Sequence, residues 1–189
     1  IFKKGSRLLV SNYRPISLLP LVSKIIEKII HNQVESFLHS HNIIYKYQSG
    51  FRKNHSTGTC LSFLSNKIKQ GFQEGKLTGM ILIDLQKAFD TIDHEILLLK
   101  MKYLGFAEST ISWFRSYLTD RTFIVHLNGN FSNRGNLICG VPQGSILGPL
   151  LFLLYVNDMQ QSVSCDLLLY ADDSCLLFAD RNFDNIESN

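Results

Sequence analysis

The sequence predicts an α+β fold, a small antiparallel sheet packed with helices. Apolar residues recur at helical spacing in several segments, and short apolar runs bounded by glycine or acidic turns have the character of strands. The two kinds of segment follow one another without the regular strand–helix–strand alternation of a parallel sheet. The chain of 189 residues suffices for one domain with a sizeable core, and 45% hydrophobic with 19% charged content is ordinary for a folded protein. A net charge of +3 permits a polyanionic partner without requiring one.

The elements follow in order. Residues up to Pro20 are irregular and carry Asn12-Tyr13-Arg14-Pro15-Ile16-Ser17. Val22, Ile25, Ile26, Ile29, Ile30, Val34, Phe37 and Leu38 then form one helical stripe, with Pro20 suited to its first turn. A polar loop from His39 to Ser56 holds Gln48-Ser49-Gly50-Phe51-Arg52, and a second helix runs from about Thr57 to Phe72. The Ile25/Ile29 and Leu61/Leu64 stripes are assigned to the core. Met80-Ile81-Leu82-Ile83, after the turn at Gly75–Gly79, has the length and flanking glycine of a buried strand, and it ends at Asp84.

Helices are expected from about His94 to Tyr103, stopped by Gly105, and from Ser109 to Leu118. Thr122 to Leu127 alternates, and Asn128-Gly129 is a strong hairpin signal. The return strand leads through Gly140-Val141-Pro142-Gln143-Gly144-Ser145 to a helix from about Leu147 to Met159. Leu167 to Ala171 and Ser174 to Phe178 complete the pattern as two strands joined at Asp172-Asp173. No linker separates independent domains.

Several classes are disfavoured. Cys60, Cys139, Cys165 and Cys175 are widely spaced with no Cys-x-x-Cys pair, which argues against a zinc site or a disulfide framework and for a reducing intracellular compartment. The longest apolar run, Ile146 to Val156, is interrupted by Gly148 and Pro149 and falls short of the roughly 20 residues a bilayer requires. No membrane partner is expected. The amino terminus has neither an apolar signal core nor an initiator Met, so an internal piece of something longer is expected.

Three carboxylates stand at costly places. Asp84 ends an apolar strand, and Asp172 and Asp173 lie between two others. Acids are seldom kept at such positions without compensation, and clustered carboxylates repel unless a cation neutralises them. Magnesium is the natural cation, because it takes hard oxygen ligands and leaves positions open for phosphate. Two such ions about 4 Å apart stabilise both oxygens of an in-line phosphoryl displacement. A capping Asp84 and a plain hairpin turn at Asp172-Asp173 would be the bland explanation; both elements together favour metal.

Tyr170-Ala171-Asp172-Asp173 between apolar strands resembles the signature of reverse transcriptases. Asp84-Leu85-Gln86-Lys87-Ala88-Phe89-Asp90, followed by His94, is similar to the first catalytic motif of non-LTR, LINE-like retrotransposons, closest in flavour to the Jockey/CR1-like branch. Gly140 to Ser145 with Gly148-Pro149-Leu150-Leu151-Phe152 resembles the family's nucleotide-and-template loop and following helix. Tyr13-Arg14-Pro15-Ile16-Ser17 and Gln48 to Arg52 resemble its fingers motifs. Five motifs occur in the family's order between about Asn12 and Phe178.

The resemblance implies the fingers and palm of a right-hand polymerase with the thumb absent, about 1–78 mostly fingers and about 79–189 mostly palm with some fingers elements. It implies an RNA-directed DNA polymerase that adds dNTPs to a primer 3′-hydroxyl by two-metal phosphoryl transfer. Asp84 and Asp172 would be the principal ligands of two Mg2+ ions, with Mn2+ able to substitute. Asp173 would complete the cluster, and the Leu85 carbonyl would be a further ligand. Phe89 would block a ribose 2′-hydroxyl, Gln143 and Gly144 would face the incoming nucleotide and its template base, and Arg52 would fork onto the triphosphate. Arg14 and Lys53 are further candidates for template or phosphate contacts.

Capping accounts for Asp90 and Asp93 without catalysis, packing for His94, structure for Asn157-Asp158, and exposure for Lys87. The implied partners are an RNA template, a DNA primer and dNTPs, and the implied location is the nucleus. Without a thumb, activity of the chain alone is expected to be weak or absent. The other reading is a catalytically inactive, truncated or domesticated remnant that folds and binds nucleic acid. A viral RNA-dependent RNA polymerase is opposed by Phe89 and the Pro142-Gln143-Gly144 loop.

Overall fold

The computed structural model describes residues 1–187, and the order of elements is α1 (Leu21–Ser40), α2 (Thr57–Gln73), β1 (Leu77–Asp84), α3 (His94–Tyr103), α4 (Glu108–Leu118), β2 (Thr122–Phe123), β3 (His126–Leu127), β4 (Asn130–Phe131), β5 (Gly135–Asn136), α5 (Gly148–Val156), β6 (Asp166–Tyr170), β7 (Asp173–Asp180) and α6 (Phe183–Glu187). Short 3-10 turns occupy Val10–Asn12 and Met159–Ser162. The α+β class follows directly from these elements. They form two compact units, each assembled from two separated segments: Ile1–Phe37 with Phe89–Tyr155, and Leu38–Ala88 with the chain from Val156 onward.

The first unit is mostly helical. Pro20 precedes α1, and its carbonyl accepts from Lys24 N, so the helix starts where a residue without an N–H costs nothing. Asp93 caps α3 by accepting from Ile96 N at 2.9 Å, as its place in the sequence implied. Gly105, with φ +87°, ends that helix in the left-handed region. Helices α3 and α4 pack through Leu97, Leu98, Met101, Ile111, Phe114 and Leu118, all buried. Helix α5, Gly-Pro-Leu-Leu-Phe-Leu-Leu-Tyr-Val, is apolar on every side and buried from Leu150 to Leu154. Each such side chain contributes about 1.5–3 kcal/mol by leaving water. The Asn128-Gly129 turn, with φ of 50° and 81°, closes the β3–β4 hairpin as its dipeptide predicts.

The second unit holds the three-stranded antiparallel sheet, in the order β1-β7-β6. Helix α2 packs on it against β1 and β6. Ser56 and Thr59 form a reciprocal capping box at the start of α2. Leu167, Leu168 and Leu169 are buried in succession, so β6 is covered on both faces. Its outer edge is paired as well, because Ser49 N donates to Leu169 O at 2.8 Å and Leu169 N to Tyr47 O at 3.0 Å.

Three expectations about the core are corrected. Met80, Ile81 and Leu82 are 49%, 50% and 73% exposed, because β1 is an edge strand paired only with β7. Ile25 and Ile29 are exposed, while Glu27, Val34 and Leu38 are buried. The buried face of α1 is thus rotated from the apolar stripe, and a carboxylate lies within it. Leu61 and Phe72 on α2 are also exposed, and Gly71 is that helix's buried residue, where a Cβ would stand 2.7 Å from Thr78 Oγ1. Among the described residues all four cysteines are free, and no helix is long and apolar enough to cross a membrane.

Candidate active site

The predicted residues fall into both units. In the second, strand register places Asp84 opposite Asp173, which is itself opposite Tyr170 across the next pair of strands. Cross-strand partners share a sheet face, so two acids distant in sequence meet at one end of one face. Asp172 lies in the two-residue connection beside them, and its carbonyl accepts from Leu85 N at 3.4 Å. Asp84 and Asp173 are exposed and Asp172 is half-buried, so Asp84 ends a half-exposed strand instead of the buried one expected. Among the described residues, no three His, Cys, Asp or Glu side chains converge closely enough to hold a metal ion. The acids are together in backbone register and not as a closed ligand set, in keeping with repulsion between neighbouring carboxylates.

The turn is strained. Ala171 has φ +58°, a conformation that costs a non-glycine residue roughly 1–3 kcal/mol. Gln48 holds it: its Oε1 accepts from Ala171 N at 3.2 Å and from Gly50 N at 2.7 Å, and the side chain is buried. Gly50 passes so close that a Cβ would stand 2.1 Å from Ala171 N. Gln48-Ser49-Gly50 thus braces the acidic hairpin, a role its sequence alone did not disclose. Glycine two residues after a glutamine in a polar loop was the available signal.

Arg52, expected on a triphosphate, donates through Nη1 to the carbonyls of Tyr45 at 3.1 Å and Gln48 at 3.0 Å. It latches the bracing segment, and burial lowers its pKa from the usual guanidinium value. Tyr45 fastens the same segment to the Met159–Ser162 turn and to β6, its one hydroxyl proton shared between Gln160 Oε1 at 2.6 Å and Leu167 O at 2.8 Å. Asn157 is structural, as anticipated: it accepts from Tyr45 N and donates to Ile43 O. Lys87 has φ +53° and is exposed.

In the first unit, the Gly140–Ser145 loop is tied down along its length. Gly140 N donates to Ile92 O at 2.7 Å and Val141 N to Phe89 O at 2.8 Å. The buried His94 donates from Nε2 to Gly140 O at 2.7 Å, a packing role as expected. Gly140 has φ +81°, and a Cβ there would meet the Asp90 backbone at 2.7 Å. Gln143 donates from Nε2 to Asp90 Oδ1 at 2.8 Å, and its carbonyl accepts from Ser17 N at 2.8 Å. Asp90 is therefore the glutamine's partner and not a helix cap, which is a correction. Gly144 is exposed with φ +110° beside the Ser17 carbonyl. The Phe89 ring stacks on Phe152 of α5, centroids 5.1 Å apart. Arg14 and Lys53 are exposed.

The chain belongs to the reverse transcriptase (RNA-dependent DNA polymerase) family, whose model matches residues 1–184. It is 36% identical over 176 residues to the probable RNA-directed DNA polymerase from transposon BS of Drosophila melanogaster, covering 89% of this chain and 19% of that protein. The RNA-directed DNA polymerase from mobile element jockey of the same fly is 35% identical, with the same coverage. The resemblance drawn from the motifs is borne out at the level of family and of Jockey-type elements. The chain spans about a fifth of the length of these curated relatives. Among solved structures, telomerase from Candida albicans in complex with a fragment of telomeric RNA has a similar fold, with a TM-score of 0.59 at 14% identity, over 88% of this chain and 32% of that one.

Proposed function

We propose that this chain forms fingers and palm of an RNA-directed DNA polymerase that extends a primer 3′-hydroxyl with dNTPs on an RNA template. None of its described elements is assigned to a thumb, and a nuclear site of action belongs to the same reading. The observation that carries it is the register setting Asp84 opposite Asp173, beside Asp172, in a chain of this family.

The carboxylates of Asp84, Asp172 and Asp173 and the carbonyl of Leu85 are hard oxygen donors of the kind magnesium takes, and the strand register that sets Asp84 opposite Asp173 supports their holding it. When bound, two Mg2+ ions, or Mn2+ in their place, would neutralise charge on the attacking and leaving oxygens. The protein's own groups supply position. Gln48 holds the turn that carries Asp172. Asp90 orients Gln143, leaving its amide oxygen to meet a base or sugar. Phe89, backed by Phe152, gives a fixed wall against a ribose 2′-hydroxyl. The 3′-hydroxyl gives its proton to solvent water, its oxygen attacks the α-phosphorus in line as the bond to pyrophosphate breaks, and pre-organisation supplies most of the rate.

The test is magnesium-dependent dNTP incorporation on a primed RNA template by the full-length protein, with Asp172→Ala as control. Incorporation that vanishes in the variant is expected. Absence of incorporation by demonstrably folded protein would replace the reading with a non-catalytic nucleic-acid-binding one.

A further inference from the structure

Glu27 is 1% exposed, in the middle of α1. A buried carboxylate is expensive unless its oxygens are matched by donors. Here Oε2 accepts from Ile146 N at 2.7 Å, while Oε1 accepts from Tyr117 Oη at 3.1 Å and Ser23 Oγ at 3.3 Å. One side chain therefore joins α1 to α4 and to the residue immediately after the Gly140–Ser145 loop. Ser145 then caps α5 by accepting from Gly148 N at 2.9 Å. The loop carrying Gln143 is thus held just past its far end by Glu27, at its near end by His94 and at Gln143 itself by Asp90.

We propose that Glu27 is a positioning residue for the nucleotide-binding loop, setting the height of Gln143 and Gly144 through the Ile146 amide. The inference rests on the polymerase reading of that loop. The three donors are neutral, so Glu27 is matched by hydrogen bonds and not by a cation. Burial, and then the charge of Glu27, push the Tyr117 phenol up from its usual value, so it remains a donor at every physiological pH. The acid replaces the apolar residue that the neighbouring stripe of α1 would suggest, and its shortest partner is the backbone amide of Ile146, which directly follows the loop.

The experiment compares Glu27→Leu, Glu27→Gln and Tyr117→Phe in the full-length protein on a primed RNA template. Leucine keeps the bulk and leaves the Ile146 N–H without an acceptor, whereas glutamine can still offer one. The expected result for Glu27→Leu is a KM for dNTP raised about tenfold, with primer–template affinity unchanged. Glutamine should restore KM to within about twofold, and Tyr117→Phe should fall between the two. Amide exchange of residues 141–146, read on the same proteins, should quicken in the leucine variant alone. A leucine variant that fails to fold leaves glutamine and phenylalanine to decide. Unchanged KM in both Glu27→Leu and Tyr117→Phe, or a folded glutamine variant as impaired as the leucine one, would overturn the proposal. An unmodified protein with no incorporation but a glutamate-dependent exchange rate at Ile146 would instead sink the polymerase reading and leave the loop contact standing.

Discussion

The acids at the end of the three-stranded sheet and the glutamine loop of the first unit differ in how they are held. Asp84 and Asp173 are exposed and owe their meeting to backbone register, which one glutamine and one glycine steady at the Ala171 turn. The loop from Gly140 to Ser145 is mostly buried, anchored by His94, Asp90 and backbone bonds to Ile92 and Phe89, and continuous with an apolar helix. In the polymerase reading proposed above, the acids that would handle charge are open to solvent, while the loop that would face the nucleotide is pinned along its length. Stability and activity should therefore separate between the two regions.

The sharpest way to break that separation is at the acids. Asp172→Ala and Asp84→Ala should each lower incorporation on the order of a thousandfold, while the free energy of unfolding in urea changes by less than about 0.5 kcal/mol. A large loss of stability in either would show that the acidic end is a structural centre. The converse change lies in the first unit, where Phe114→Ala, from a fully buried site, should cost about 3–5 kcal/mol in equilibrium unfolding. Gly50→Ala drives a Cβ into the Ala171 backbone and should cost about 1–3 kcal/mol with a matching fall in incorporation. Normal activity in that variant would mean the hairpin does not need its brace.

Alkaline pH gives a smaller effect. Burial pushes the Tyr45 phenol up to about 12, with the neighbouring Tyr47 adding to the shift. The folded state thus favours the protonated phenol. Its stabilisation is complete below the ordinary tyrosine value near 10 and is lost as pH rises through about 12. Unfolding followed between those values should show a loss that Tyr45→Phe abolishes. Ile25→Ala, on the exposed face of α1, should change stability least, by less than about 0.5 kcal/mol. A cost of several kcal/mol there would mean the face is covered in solution.

Much of this protein was legible without coordinates. Apolar periodicity located α1 to α4, an unbroken apolar run after the glycine-rich loop located α5, Asn128-Gly129 closed its hairpin, Asp93 capped α3 and Gly105 ended it, because each depends on interactions within a few residues. The five motifs led to the family, since their order is a property of the chain itself. Tertiary structure alone decided which face of α1 is buried and that β1 is half-exposed at the sheet edge. It decided that Asp90 serves Gln143, that Arg52 serves the backbone of the bracing segment, and that Gln48 holds the Ala171 turn. Those contacts join residues up to 123 positions apart. Local propensity is blind to them, because a polar side chain acquires its role from whichever unmatched donor or acceptor the fold brings beside it.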